Sequence, residues 1–170
     1  NTLADRMQHH GWLETYIQAL FPEHELTFRN LGYSADEVKR RDRADNFGSP
    51  DQWLTKVQAD TVFCFFGRNE ALNGDAGLEG FKKELAEMLD GMRGQKYNGK
   101  SAPQIVVFSP IAHENVESPH LPDGSAQNVN LEKYTAAMQA VCADKGIQFV
   151  DIFTPTKSLF ANAEKPLTMN

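Results

Sequence analysis

Thr61-Val-Phe-Cys-Phe-Phe-Gly-Arg-Asn-Glu70 is the stretch that decides the fold. From Val62 to Phe66 it is unbroken apolar, rich in β-branched and aromatic residues, and Gly67 closes it. A short continuous run of that kind reads as a strand covered on both faces, the pattern of a parallel sheet. Such a strand would be central. The polar residues Arg68, Asn69 and Glu70 would then stand at its carboxyl end, where open parallel sheets bind their ligands.

Working outward, Gln104 to Ser109 (QIVVFS) and Gln148 to Phe153 (QFVDIF) are similar runs, and Glu25 to Leu31 (ELTFRNL) alternates enough to be a further strand. Between them lie helical patterns. Leu3, Met7, Trp12, Tyr16, Ile17 and Leu20 recur at helical steps broken near Gly11 and stopped by Pro22. Ser34-Ala-Asp-Glu37 and Ser49-Pro-Asp-Gln52 read as capping boxes. The spacing predicts helices over Pro50 to Gln58, Leu78 to Met92, Leu131 to Lys145 and Pro155 to Ala163, with Gly146 as a stop. Strands alternating with helices imply βαβ units and a three-layer α/β/α sandwich of flavodoxin-like type with a parallel sheet. Ala112 to Asn130 is the one long loop in this reading, and loops of that length are often functional.

The 170 residues, 41% apolar and 24% charged, suit one globular domain. A formal net charge of −6 disfavours a nucleic-acid partner. The longest apolar run falls far short of the roughly 20 residues of a membrane-spanning helix. Cys64 and Cys142 are far apart and lack Cys-x-x-Cys or Cys/His neighbours, so they read as two buried, unpaired thiols. His9 and His10 point about 100° apart on a helix, and His24 and His120 stand among turn residues, so no metal site is expected. No cofactor is implied, and the oligomeric state is not legible. The chain begins at Asn1 rather than Met and carries no basic-then-apolar leader, so it reads as trimmed.

At the predicted strand ends stand Gly32-Tyr33-Ser34, Gly67-Arg68-Asn69-Glu70 and Pro110 to Glu114, with Asn1 and Thr2 opening the first helix. Acyl transfer needs a nucleophilic hydroxyl, a base and donors aimed at the oxyanion. Thr2 offers the hydroxyl, the Gly32 N–H an unobstructed donor and the Asn69 side chain a second donor. Asn1, Arg68, Glu70 and His113 are candidate substrate contacts. His113, with Glu114 to orient it, is also a candidate substitute base. Capping alone also accounts for Asn1 and Thr2, and Ser34 reads as an N-cap. Gly32 also fits a turn with positive φ. Lys39-Arg-Arg-Asp-Arg43 reads as a solvated face.

Asn1-Thr-Leu3, Asn30-Leu-Gly-Tyr-Ser34 and Gly67-Arg-Asn-Glu70 resemble, in order and spacing, the first three blocks of the SGNH (GDSL-type) hydrolases. The stretch SPIAHE and the ending PLTMN are similar to that family too. The resemblance covers essentially all of residues 1–170, implies one α/β/α domain that hydrolyses esters, on small or carbohydrate-linked substrates, and slightly favours a periplasmic or secreted location. It implies that the first-block hydroxyl attacks and that Gly32 and Asn69 donate to the oxyanion. Thr2 stands where the family has Ser, Asn1 where it has Asp, and Glu70 where an Asp often follows. Asn170 falls at the Asp of the last block, whose His would lie three positions on, so the domain reads as cut at both ends. The alternative expectation is a catalytically impaired binding or interaction module on the same fold. A flavodoxin-like receiver or flavin protein fits less well: GRNE and TPT stand at the strand ends, and NTLADR is not a phosphate loop.

Overall fold

The computed structural model describes residues 1–41, 46–121 and 123–168. Strands β1 (Thr61–Phe65), β2 (Gln104–Phe108) and β3 (Gln148–Val150) form one parallel sheet in the order β1-β2-β3. Parallel neighbours need crossovers. Here these carry α4 (Gly74–Arg93) and α5 (Ser125–Lys145), which pack against each other. Before the sheet come α1 (Thr2–Met7), α2 (Trp12–Leu20) and α3 (Pro50–Lys56), and α6 (Phe153–Ala161) follows it. With helices on both sides of the sheet, the domain is a three-layer α/β/α sandwich.

Register fixes which side chains share a face. Val62 pairs with Ile105, Cys64 with Val107, and Val107 with Phe149, so all five side chains point one way. They meet Leu85 and Leu89 of α4 and Met138 and Cys142 of α5 in one buried cluster. Full burial of each such side chain contributes about 1.5–3 kcal/mol. On the other face Phe63 and Phe65 lie 5.3 and 4.5 Å from the Phe108 ring, an aromatic ladder across the two strands. Both cysteines are buried and free, and desolvation pushes their thiols up, Cys64 to about 12 and Cys142 to about 11.

Several expectations need correction. Among the described residues β2 lies between β1 and β3, and the apolar run at β1 lies at one side of the three-stranded sheet. Its hydrophobicity is explained by the core on one face and the Phe108 stack on the other, while Phe63 keeps 36% exposure. Residues 25–31 form no strand and join no ladder among the described residues. Residues 34–37 form a turn instead of a helix start: Ala35 has φ +67°, and Ser34 Oγ donates to Asp5 Oδ2 at 2.6 Å rather than capping. Helices α4 and α5 begin at Gly74 and Ser125, earlier than the apolar spacing places them. The polar turn Ser125 to Asn130 had read as loop, and its inclusion in α5 shortens the long loop to about Pro110–Gly124.

Other expectations match. Gly11 breaks the leading helix at φ 62°. Ser49 accepts from the Gln52 N–H and Gln52 returns the bond, with Pro50 at the first helical position. Of the basic run, Lys39 and Arg40 are exposed, whereas the Arg41 guanidinium lies 4.9 Å from the Phe66 ring centre; Asp42 and Arg43 lie outside the described residues.

Candidate active site

The end of β1 gathers three of the sequence-predicted pieces. The Asn1 backbone nitrogen donates to the Phe65 carbonyl at 3.3 Å, which seats the start of α1 at that strand end. Asn1 is buried, and its Oδ1 accepts from the Leu3 N–H at 3.1 Å, so its side chain caps α1. Thr2 is exposed, and its Oγ1 accepts from the Ala35 N–H at 3.2 Å. Gly32 packs on the same helix: a Cβ there would lie 2.8 Å from both Ala4 Cβ and the Asp5 nitrogen, so only glycine allows this approach. The Gly32 N–H, expected to be unobstructed, donates to Asn30 Oδ1 at 2.8 Å. As an oxyanion donor it would first have to release that carboxamide.

Beyond β1, Gly67 turns at φ +93°, where a Cβ would come within 2.8 Å of Met138 Sδ. Asn69 follows in helical geometry and opens the short 3-10 turn Glu70–Asn73, yet its side chain makes no capping bond. Its Nδ2 is buried and has no hydrogen-bond partner. Buried donors are almost always satisfied, and an exception calls for an explanation.

Glu70 is turned into the protein. It is 5% exposed, and its two carboxylate oxygens accept from the Val38 and Gly67 N–H groups, each at 2.9 Å. Burial raises its carboxyl, opposed by those backbone bonds. The residue is a buried bracket between two loops, in place of the substrate contact expected from the sequence.

Arg68 and His113 meet. Arg68 Nη2 lies 3.1 Å from His113 Nδ1, and the half-buried guanidinium is shifted below its ordinary value by desolvation. The His113 main chain is clasped at both ends: its N–H donates to Asn128 Oδ1 and its carbonyl accepts from Asn128 Nδ2, each at 2.8 Å. The imidazole also packs on Gly124, where a Cβ would fall 2.0 Å from the ring. It borders a cavity of about 580 Å³ shared with Asp123, Asn128, Lys157 and Phe160.

Glu114 does not orient His113. Its carboxylate accepts from the Leu167 N–H, the Thr168 N–H and the Thr168 hydroxyl at 2.6 to 3.0 Å. Desolvation pushes that carboxyl up, and the bonds from Leu167 and Thr168 outweigh it, so the net shift is downward. The last block of the sequence is thus tied to the loop after β2, although Asn170 lies outside the described residues. Sequence reasoning missed this clasp and the Asn128 one, since neither partner pair is close in sequence.

Ser109 was also unforeseen as a junction. Fully buried at the end of β2, its Oγ accepts from the Ile152 and Phe153 N–H groups, each at 2.9 Å, and so ties β2 to the turn into α6. Among the described residues no group of His, Cys, Asp and Glu is placed to hold a metal ion, and no helix is long and apolar enough to cross a membrane.

A gut microbial diltiazem-metabolizing enzyme shares the fold, with a TM-score of 0.65 at 16% identity over 94% of this chain and 36% of that one. A carbohydrate acetylesterase from Sinorhizobium meliloti gives a TM-score of 0.47 at 15% identity, over 71% of this chain and 60% of that one. An aryl esterase from M. smegmatis gives 0.45 at 17% identity, over 75% and 64%. The chain therefore spans little more than a third of the first protein's length and under two thirds of the other two. No curated protein sequence matches. The family model for the GDSL-like lipase/acylhydrolase family matches residues 5–169, and the chain belongs to that family.

Proposed function

We propose that this chain forms the core of an acyl-ester hydrolase site, acting on small or carbohydrate-linked esters. The observation that carries the reading is the buried, unpartnered Nδ2 of Asn69 at the carboxyl end of β1. A donor held away from water and given no acceptor is prepared for a charge that develops only during reaction, as on the carbonyl oxygen of an attacked ester. Thr2 Oγ1 is the proposed attacking atom. It is solvent-facing and accepts from the Ala35 N–H, which leaves its own proton to be given to a base. A threonine hydroxyl has a stiffer χ1 than serine, so its orientation matters more.

The test is turnover of p-nitrophenyl acetate by the full-length protein and by Asn69→Ala. Hydrolysis that falls in the variant supports the reading; rates equal to buffer for both oppose it. A second reading, a binding module without turnover, is favoured by the Gly32 N–H being taken up by Asn30. Binding of a glycan ester in calorimetry with no released acid would favour that one.

A further inference from the structure

Among the described residues six lysines sit within 4.0 Å of a carboxylate: Lys39, Lys82, Lys83, Lys133, Lys145 and Lys157. Arg68 is more sheltered than most of them, and no described carboxylate pairs with it. Its single hydrogen bond goes to His113 Nδ1. A guanidinium carries five N–H donors in a rigid fork that matches carboxylate, sulfate or phosphate oxygens. Partly desolvating such a group without an anion is unfavourable, so the arrangement is complete only when an anion is supplied from outside. The chain carries a net charge of −6, yet no described acid is hydrogen-bonded to Arg68. Arg68 also adjoins Asn69, whose Nδ2 is the buried orphan donor of the same turn.

We propose that Arg68 is the specificity-determining residue of the site and selects esters that carry an anionic group. The inference rests on the hydrolase reading and narrows its substrate class. Arg68 binds the anion with the N–H groups that His113 leaves unused, while Asn69 remains for the oxyanion. The anion belongs to either the alcohol or the acyl part of the ester.

Three probes separate these sources in the full-length protein and in Arg68→Gln: phenyl acetate, 4-acetoxybenzoate with its carboxylate on the leaving group, and monophenyl succinate with its carboxylate on the acyl chain. The expected result is a higher kcat/KM for one charged ester than for phenyl acetate. That ratio falls about 10- to 100-fold in Arg68→Gln, the range for losing a charge-assisted hydrogen bond. A merely structural role of Arg68 would lower all three rates together and leave the ratio unchanged, which overturns the proposal, as does the absence of any preference in the native protein. If none of the three is hydrolysed, calorimetry with the two charged probes decides. Binding lost in Arg68→Gln supports the anion site while the hydrolase reading fails; no binding overturns both.

Discussion

Arg68 Nη2 donates to His113 Nδ1 at 3.1 Å, linking the end of β1 to the loop after β2. Because a guanidinium has no acceptor, the imidazole must present its Nδ1 lone pair and carry its proton on Nε2. Ring nitrogen NMR at neutral pH is expected to show that tautomer for His113, and Arg68→Met a mixture of both. The same single tautomer in the variant would show that Arg68 does not hold it.

Asn69→Ala is expected to lower kcat about 10²- to 10³-fold, the usual loss for one oxyanion donor. Thermal stability should change little, because the Nδ2 removed makes no hydrogen bond in the folded protein. Parallel kinetics and thermal melts test the pair of statements; a large drop in Tm would make Asn69 a structural residue.

Glu70→Ala leaves the Val38 and Gly67 N–H groups without their carboxylate acceptor. At about 1–3 kcal/mol for each of the two buried groups left unpaired, urea unfolding should show a loss of roughly 2–6 kcal/mol. A neutral substitution would show that water replaces the bracket.

Acid should free the end of the chain. The folded-state pKa of Glu114 is depressed below its ordinary value of 4.5. Its contribution is therefore fully present above that value and is lost as pH falls through the lower folded-state pKa. At neutral pH the Leu167 and Thr168 amides should be strongly protected from exchange, relative to their intrinsic rate at each pH, and should lose that protection as acid protonates Glu114. In Glu114→Gln the exchange is expected to be faster at neutral pH, and the acid step should disappear.

Both thiols should resist modification. With Cys64 at about 12 and Cys142 at about 11, and both side chains buried, almost no thiolate exists at pH 8. A chromogenic disulfide reagent should count no thiols in the native protein and two after unfolding in guanidinium. Rapid native labelling would contradict the packing of the α4 and α5 layer on the sheet.

Much of this molecule was legible because its signals are local. The β1 and β2 runs, the Ser49 capping box and the Gly11 break each depend on a few neighbouring residues, and each is found where the pattern puts it. The GxN turn was legible for the same reason, since a polar triplet after an apolar strand is confined to its carboxyl end. Phe63 and Phe65 stack on Phe108, one strand away, which accounts for the second apolar face of β1. Glu70, Glu114 and Asn128 were misread or missed because their partners at Val38, Thr168 and His113 are brought near only by the fold.

The double clasp of Asn128 on the His113 backbone also bears on how this site can diversify. Glu114 is held by Leu167 and Thr168 at the near end, and Asn128 of α5 ties the far end back to His113, so residues 115–121 hang between two anchored ends. Lengthening a loop between fixed ends carries a small entropic cost that grows only logarithmically. Insertions there should be tolerated without moving the histidine, so this segment can change what the cavity admits while the turn at the end of β1 stays as it is.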